Sequence, residues 1–174
     1  MRHTILALTA ALMMGGCVSV SAPVAEASHS TTSPDRHSIY SSTDSFAVVE
    51  SRLRAAIASR PLTLFTVVDH GEGARAADMP IGQSKLFIVG NPDVGTPFMM
   101  ADPSMGLDLP LKILIHDTPS GGTHIAYSHP GEAAKRHGIY DDVMDQVEMI
   151  HMTMGEILSE AAGSSMRKHS HHHD

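Results

Sequence analysis

Leu111-Lys112-Ile113-Leu114-Ile115-His116-Asp117, then Thr118-Pro119-Ser120-Gly121-Gly122, then Thr123-His124-Ile125-Ala126-Tyr127-Ser128: two β-rich runs joined by five turn-forming residues. This is the pattern of a β-hairpin. With residues 118–122 as the loop, Asp117 pairs with Thr123 and His116 with His124. Alternation then sends Ile113, Ile115, Ile125 and Tyr127 to a core face. It sends His116 and His124 to the other face, with Cβ atoms about 4.5–5.5 Å apart. A slip of one residue would exchange the two faces.

Further strands and helices extend from this hairpin. Ser84–Val89 is an almost continuous apolar run, as a central strand requires, and Leu62–Val68 is rich in β-branched and aliphatic residues. His37–Ser42 is a short β-compatible segment. After it, Phe46, Val49, Leu53, Ala56 and Ile57 recur at three- and four-residue steps, predicting a helix from about Asp44 to Ser59 that stops before Pro61. Val143, Val147, Ile150, Met154, Ile157 and Ala161 mark a longer helix over 141–162, and Gly163 stands where a left-handed C-terminal residue is wanted. Gly71–Gly82 is a small-residue connection with room for a helical turn. Asn91–Pro110, with four prolines and two glycines, is an ordered loop or short helix rather than a strand. The expected fold class is α+β: an antiparallel sheet of about five strands with helices packed on one face, in the order β-α-β-β-β-β-α.

The chain has 174 residues, room for one domain with tails. Its formal net charge of -7 and the absence of a basic block exclude nucleic acid as the expected partner. Residues 1–17 combine Arg2, the apolar run Thr4–Met14, and Gly15-Gly16-Cys17. That is a secretory leader too short to span a bilayer. Its end, Met14-Gly15-Gly16-Cys17, resembles the lipobox of bacterial lipoproteins, with Met in place of the usual Leu. Cys17, the single cysteine of the chain, is the expected lipidation site. Val18 after it, rather than Asp, resembles lipoproteins passed on to the outer membrane. The expected organisation is a lipoprotein signal peptide (1–17), a flexible tether (18–36), the α+β domain (37–163) and a His-rich tail (164–174). Such a protein sits in the cell envelope, facing the periplasm, with the membrane as partner through its lipid.

Within the domain, Val68-Asp69-His70, Gly90-Asn91-Pro92, Gly95-Thr96-Pro97-Phe98-Met99-Met100, Leu107-Asp108-Leu109-Pro110-Leu111-Lys112, Tyr127 and His137-Gly138 occur in that order. This set resembles the bacterial domain-of-unknown-function family 302 over about residues 37–140. The resemblance implies a TATA-binding-protein-like α+β fold, with the helix at 141–162 as the C-terminal helix, and supplies no activity or catalytic residues.

The loop Asn91–Lys112 is the first place to look for a ligand site, with His70, Asn91, Asp108 and Lys112 as candidate contacts at strand ends. The alternative is that Asp108 and Asn91 hold the loop together. Metal is the second chemistry, because the chain has 13 His and 12 Met. His116 and His124 are placed to share an ion, or else are two solvated histidines near a turn. Met149, His151 and Met152 offer soft sulfur and imidazole suited to Cu(I), while Met154 falls on the apolar stripe. His169, His171, His172 and His173 in the tail would take Ni, Cu or Zn. Enzyme signatures are absent: there is no GxSxG elbow, P-loop or dinucleotide fingerprint. The sequence therefore points to a non-enzymatic module binding a small ligand, an envelope protein or a second copy of itself. Periplasmic Cu, Zn or Ni handling is the alternative, and an envelope hydrolase the remote one.

Overall fold

The computed structural model describes residues 37–119 and 121–163. The leader, Cys17, the tether and the tail histidines His169, His171, His172 and His173 lie outside the described residues. Strands β1 (His37–Ser42), β2 (Thr63–Asp69), β3 (Ser84–Gly90), β4 (Leu111–Asp117) and β5 (Thr123–Ser128) form one antiparallel sheet in the order β1-β5-β4-β3-β2. The hairpin register is the expected one, with Asp117 opposite Thr123 and His116 opposite His124. At the loop exit, a Cβ on Gly122 would lie 2.5 Å from the Ser42 carbonyl oxygen, so glycine allows β1 to close against the hairpin.

Helices α1 (Phe46–Ala58) and α5 (Met144–Ala162) carry the two predicted apolar stripes, and every stripe residue is buried. They pack on the sheet face that holds Phe87, Val89, Ile113, Ile115, Ile125 and Tyr127. Gly163 ends α5 at φ 80°, the left-handed conformation that glycine adopts without strain. Arg60, just beyond α1, ties the pair together through Glu160 at 2.6 Å and Glu156 at 3.4 Å on α5.

Three short helices complete the order: α2 (His70–Ala76) and α3 (Pro92–Ala101), in the two connections with room for a helical turn or short helix, and α4 (Pro130–Arg136), which the expected order lacks, with a 3-10 turn at Pro103–Leu107. Each of the three helices begins on a residue, Asp69, Asn91 and His129 respectively, whose side chain accepts a backbone N–H of the first turn. At seven to ten residues they are too short for an apolar period to declare them, so only their caps mark them in the sequence.

Candidate binding site

Where β3 ends and β4 begins, the chain leaves the sheet through α3 and the 3-10 turn and returns over a cis Leu109–Pro110 bond. Asn91 starts the excursion, its side-chain oxygen accepting the Asp93 N–H at 2.9 Å, with Pro92 in the first turn where a missing N–H costs nothing. A Cβ on Gly90 would lie 3.3 Å from the Phe65 ring and 3.4 Å from Pro110, so the bare glycine lets both approach the strand end. Between α3, the end of β3 and α5 opens an apolar cleft of about 310 Å³, walled chiefly by Leu62, Phe65, Val94, Leu109, Met149 and Met154. Asn91, Thr96 and Thr153 supply polar groups at its lining. Volume and lining fit a small-molecule site: mostly apolar walls with a few polar groups that fix orientation.

Beside the cleft lies a polar clamp. His137, after α4, sits between two carboxylates, Nδ1 2.8 Å from Asp102 and Nε2 2.9 Å from Asp108. Asp108 also accepts from Arg136 at 2.8 Å, and Ser104 donates to Asp102 at 2.7 Å. The carboxylates, Asp108 foremost, push the His137 pKa up, and hydrogen bonds from Ser104 and His137 pull Asp102 down. Asp108 is lowered chiefly by its bond to His137, against the opposing effect of burial. Ser, His and Asp meet here: each imidazole nitrogen faces a carboxylate, and Nδ1 also lies 2.9 Å from the Ser104 hydroxyl. The Ser104 hydroxyl thus joins the Asp102 carboxylate and the His137 ring in one hydrogen-bond network that ties the 3-10 turn to the end of α4.

The clamp also shows where the candidate ligand contacts stand. Lys112 Nζ donates to the carbonyls of Asp108 at 2.6 Å and Pro110 at 3.0 Å, and burial pushes its pKa down. The space beside Asp108, Lys112 and His129 is about 10 Å³, room for about one water and no organic ligand. Asp108 and Lys112 therefore pin the returning limb of the loop, while Asn91 reaches the cleft. His70 does not converge with them. Asp69, just before it, pairs with Lys85 at the start of β3, whereas Asn91 follows Gly90, which pairs with Thr63 at the opposite end of that strand pair.

The model of the family Domain of unknown function DUF302 matches residues 38–159. The chain belongs to that family. Fluoride-specific ion channel FluC 1 of Brucella suis is 35% identical over 114 residues, 64% of this chain and 42% of the relative. The FluC 1 protein of Brucella abortus is also 35% identical over 114 residues, 40% of its length. The chain thus spans about two-fifths of the curated relatives it matches. The crystal structure of an uncharacterised conserved DUF302 protein from Bacillus stearothermophilus superposes with a TM-score of 0.66 at 13% identity, over 73% of this chain and 98% of that one. It shares the fold. Among the described residues no helix is long and apolar enough to cross a membrane.

This DUF302 domain carries two histidine pairs with different chemistry. His116 and His124 are cross-strand neighbours, rings edge to face with centroids 5.5 Å apart. His116 Nδ1 lies 2.8 Å from the Asp117 carbonyl oxygen, which can only accept, so Nδ1 carries the proton and a neutral ring has a bare Nε2. That is the tautomer a metal-binding histidine takes when a backbone carbonyl orients it. In the second pair, His129 Nδ1 accepts the Gly131 N–H at 3.1 Å, so Nε2 holds the proton and donates to His151 Nδ1 at 2.8 Å. Both facing positions are used by that hydrogen bond. The sequence singled out His151 with Met149 and Met152; the structure gives it His129 instead. It leaves Met149 and Met152 exposed, with Met149 on the cleft and Met154 in the core. Among the described residues no three or more His, Cys, Asp or Glu side chains gather as a metal site. Sequence reasoning missed His129 and the partners of His137, which are joined to their sites by contacts between distant segments.

Proposed function

We propose that this DUF302 protein is a non-enzymatic binding module of the cell envelope whose cleft takes a small apolar or amphipathic molecule. The observation that carries this reading is the apolar cleft of about 310 Å³ beside the family's loop, with Asn91 at its lip. An acyl chain or flat hydrophobic ring fits that lining better than a charged metabolite does, because among the described residues no charged side chain lines the cleft. The leader ending in Cys17 supports a lipid anchor in the outer membrane on the periplasmic side. The 35% identical relatives, named as fluoride-specific ion channels, support a place for such domains at membranes; fluoride conduction is their property, in chains more than twice as long as the matched segment.

Displacement of a fluorescent apolar probe by medium-chain fatty acids tests the cleft. Val94→Trp, which fills it, is expected to weaken binding by tenfold or more, about 1.4 kcal/mol. Equal binding by the wild type and the filled variant would place the ligand elsewhere. A second reading, periplasmic metal handling, is favoured by the bare Nε2 of His116 beside His124.

A further inference from the structure

The sheet face opposite α1 and α5 is patterned. Register places Val68, Leu86, Leu114, Ala126 and Ile39 opposite one another in turn, an apolar row crossing all five strands. Its two ends are well exposed, Val68 at 41% and Ile39 at 62%. Two residues along the strands runs a second row, Ser84, His116, His124 and Ser41. The His pair in it offers two imidazoles to a metal. Zinc in a closed protein site takes four ligands, so one copy of this chain holds half a site.

We propose that two copies of this chain pair face to face through their open sheets around one divalent, imidazole-preferring metal ion, with His116 and His124 of each copy completing its coordination. The inference rests on the metal reading and deepens it. A two-fold axis running along the strands between β4 and β5 sets His116 over His124 of the second copy and His124 over its His116. The same axis lays Ala126 over Leu114 and Ile39 over Leu86 of the second copy, so that metal and apolar row act together. Sheets packed this way keep their strands within about 30° of each other, which suits such an axis. The face itself measures roughly 24 by 20 Å, or about 500 Å², from strand spacing and length. That is short of the about 800 Å² per partner of a stable interface. Apolar contact alone leaves the pair weak, and the shared ion supplies the remainder, so pairing should depend on metal.

The test uses the full chain with the four tail histidines changed to serine, to remove competing ligands. Sedimentation velocity with Zn(II), and Co(II) as its spectroscopic stand-in, reads mass and stoichiometry together. The expected result is a dimer with one metal per two chains, an intense tetrahedral Co(II) spectrum, and return to monomer in EDTA. His116→Gln and His124→Gln should each abolish both signals while their far-ultraviolet circular dichroism in EDTA matches the parent. Leu114→Lys, which keeps all four imidazoles, should weaken dimerisation at least tenfold. One metal per chain without dimer formation would overturn the paired site and leave the metal reading standing. Absence of metal binding would overturn both, and a dimer indifferent to both glutamine variants would overturn the bridge.

Discussion

The two faces of this sheet are made from the same strands and alternate residue by residue, yet obey different rules. On the covered face Phe87, Ile113, Ile115 and Ile125 are fully buried under α1 and α5. On the open face Leu86, Leu114 and Ala126 are half-buried and flanked by histidine, serine and lysine. Apolar residues on the first are closed off from solvent; those on the second keep part of their surface exposed. The difference shows that hydrophobicity alone does not mark the core of a one-sided sheet.

The widest break in that comparison comes from adjacent residues of β4. Ile113→Ala should cost about 3–4 kcal/mol, the transfer loss plus an unfilled cavity, and Leu114→Ala about 1 kcal/mol or less. Urea denaturation with equal slopes for the two variants checks this. Equal costs would mean that the open face is covered in solution, and repetition across a range of protein concentrations would show whether a second copy covers it.

The hairpin explains why this much was legible in the sequence. Its register follows from loop length and alternation, both local, and the stripes of α1 and α5 follow from one repeating interval. The cleft and clamp were not legible for a corresponding reason. The cleft walls come from around Leu62, Val94, Leu109 and Met149. Asp102 meets His137 across 35 residues, and no periodic signal connects them. Asn91 and Asp108 announced themselves as loop residues, but which of them faces a cavity and which a histidine is decided by the return path of the chain. His70 follows a strand end too, but the sequence does not say which end of the sheet a strand terminus occupies, and His70 lies at the one opposite Asn91.

The polar groups beside the covered face sharpen the comparison through pH. Asp108 and Asp102 raise the His137 pKa above its ordinary 6.5, so the stability His137 contributes is complete below about 6.5 and fades as pH rises through the raised folded value. Asp102 and Asp108 are held below 3.8, so their contribution is present above that value and is lost as pH falls through the lowered ones. The clamp is therefore strongest between about pH 4 and 6.5. His129 has the opposite sign: burial, then the charge of His151, lowers its pKa, so its neutral form stabilises the fold above 6.5 and that benefit is lost on acidification. In melting curves at pH 5.5 and 8.5, His137→Gln should fall furthest behind the wild type at pH 5.5. His129→Gln should do so at pH 8.5, by a few degrees in each case. Parallel losses at both values would show that neither ring changes charge in the folded protein.

The smallest effect tests whether the covered face is as dry as its packing implies. Tyr127 is 2% exposed on β5, and its hydroxyl is buried with no hydrogen-bond partner among the described residues. Burial pushes its pKa far up, so it stays a neutral phenol at any pH the fold survives. A buried hydroxyl without a partner loses its water hydrogen bonds and gains none, a cost of about 1–3 kcal/mol that deletion relieves. Tyr127→Phe keeps the ring against the His129 imidazole, 6.0 Å between centroids, and removes only the oxygen. Its unfolding free energy should equal that of the wild type or exceed it by about 1 kcal/mol. A loss larger than that would show the hydroxyl bonded inside the protein. The covered face would then hold a polar site among its apolar residues, and the difference between the two faces would be one of access rather than of polarity.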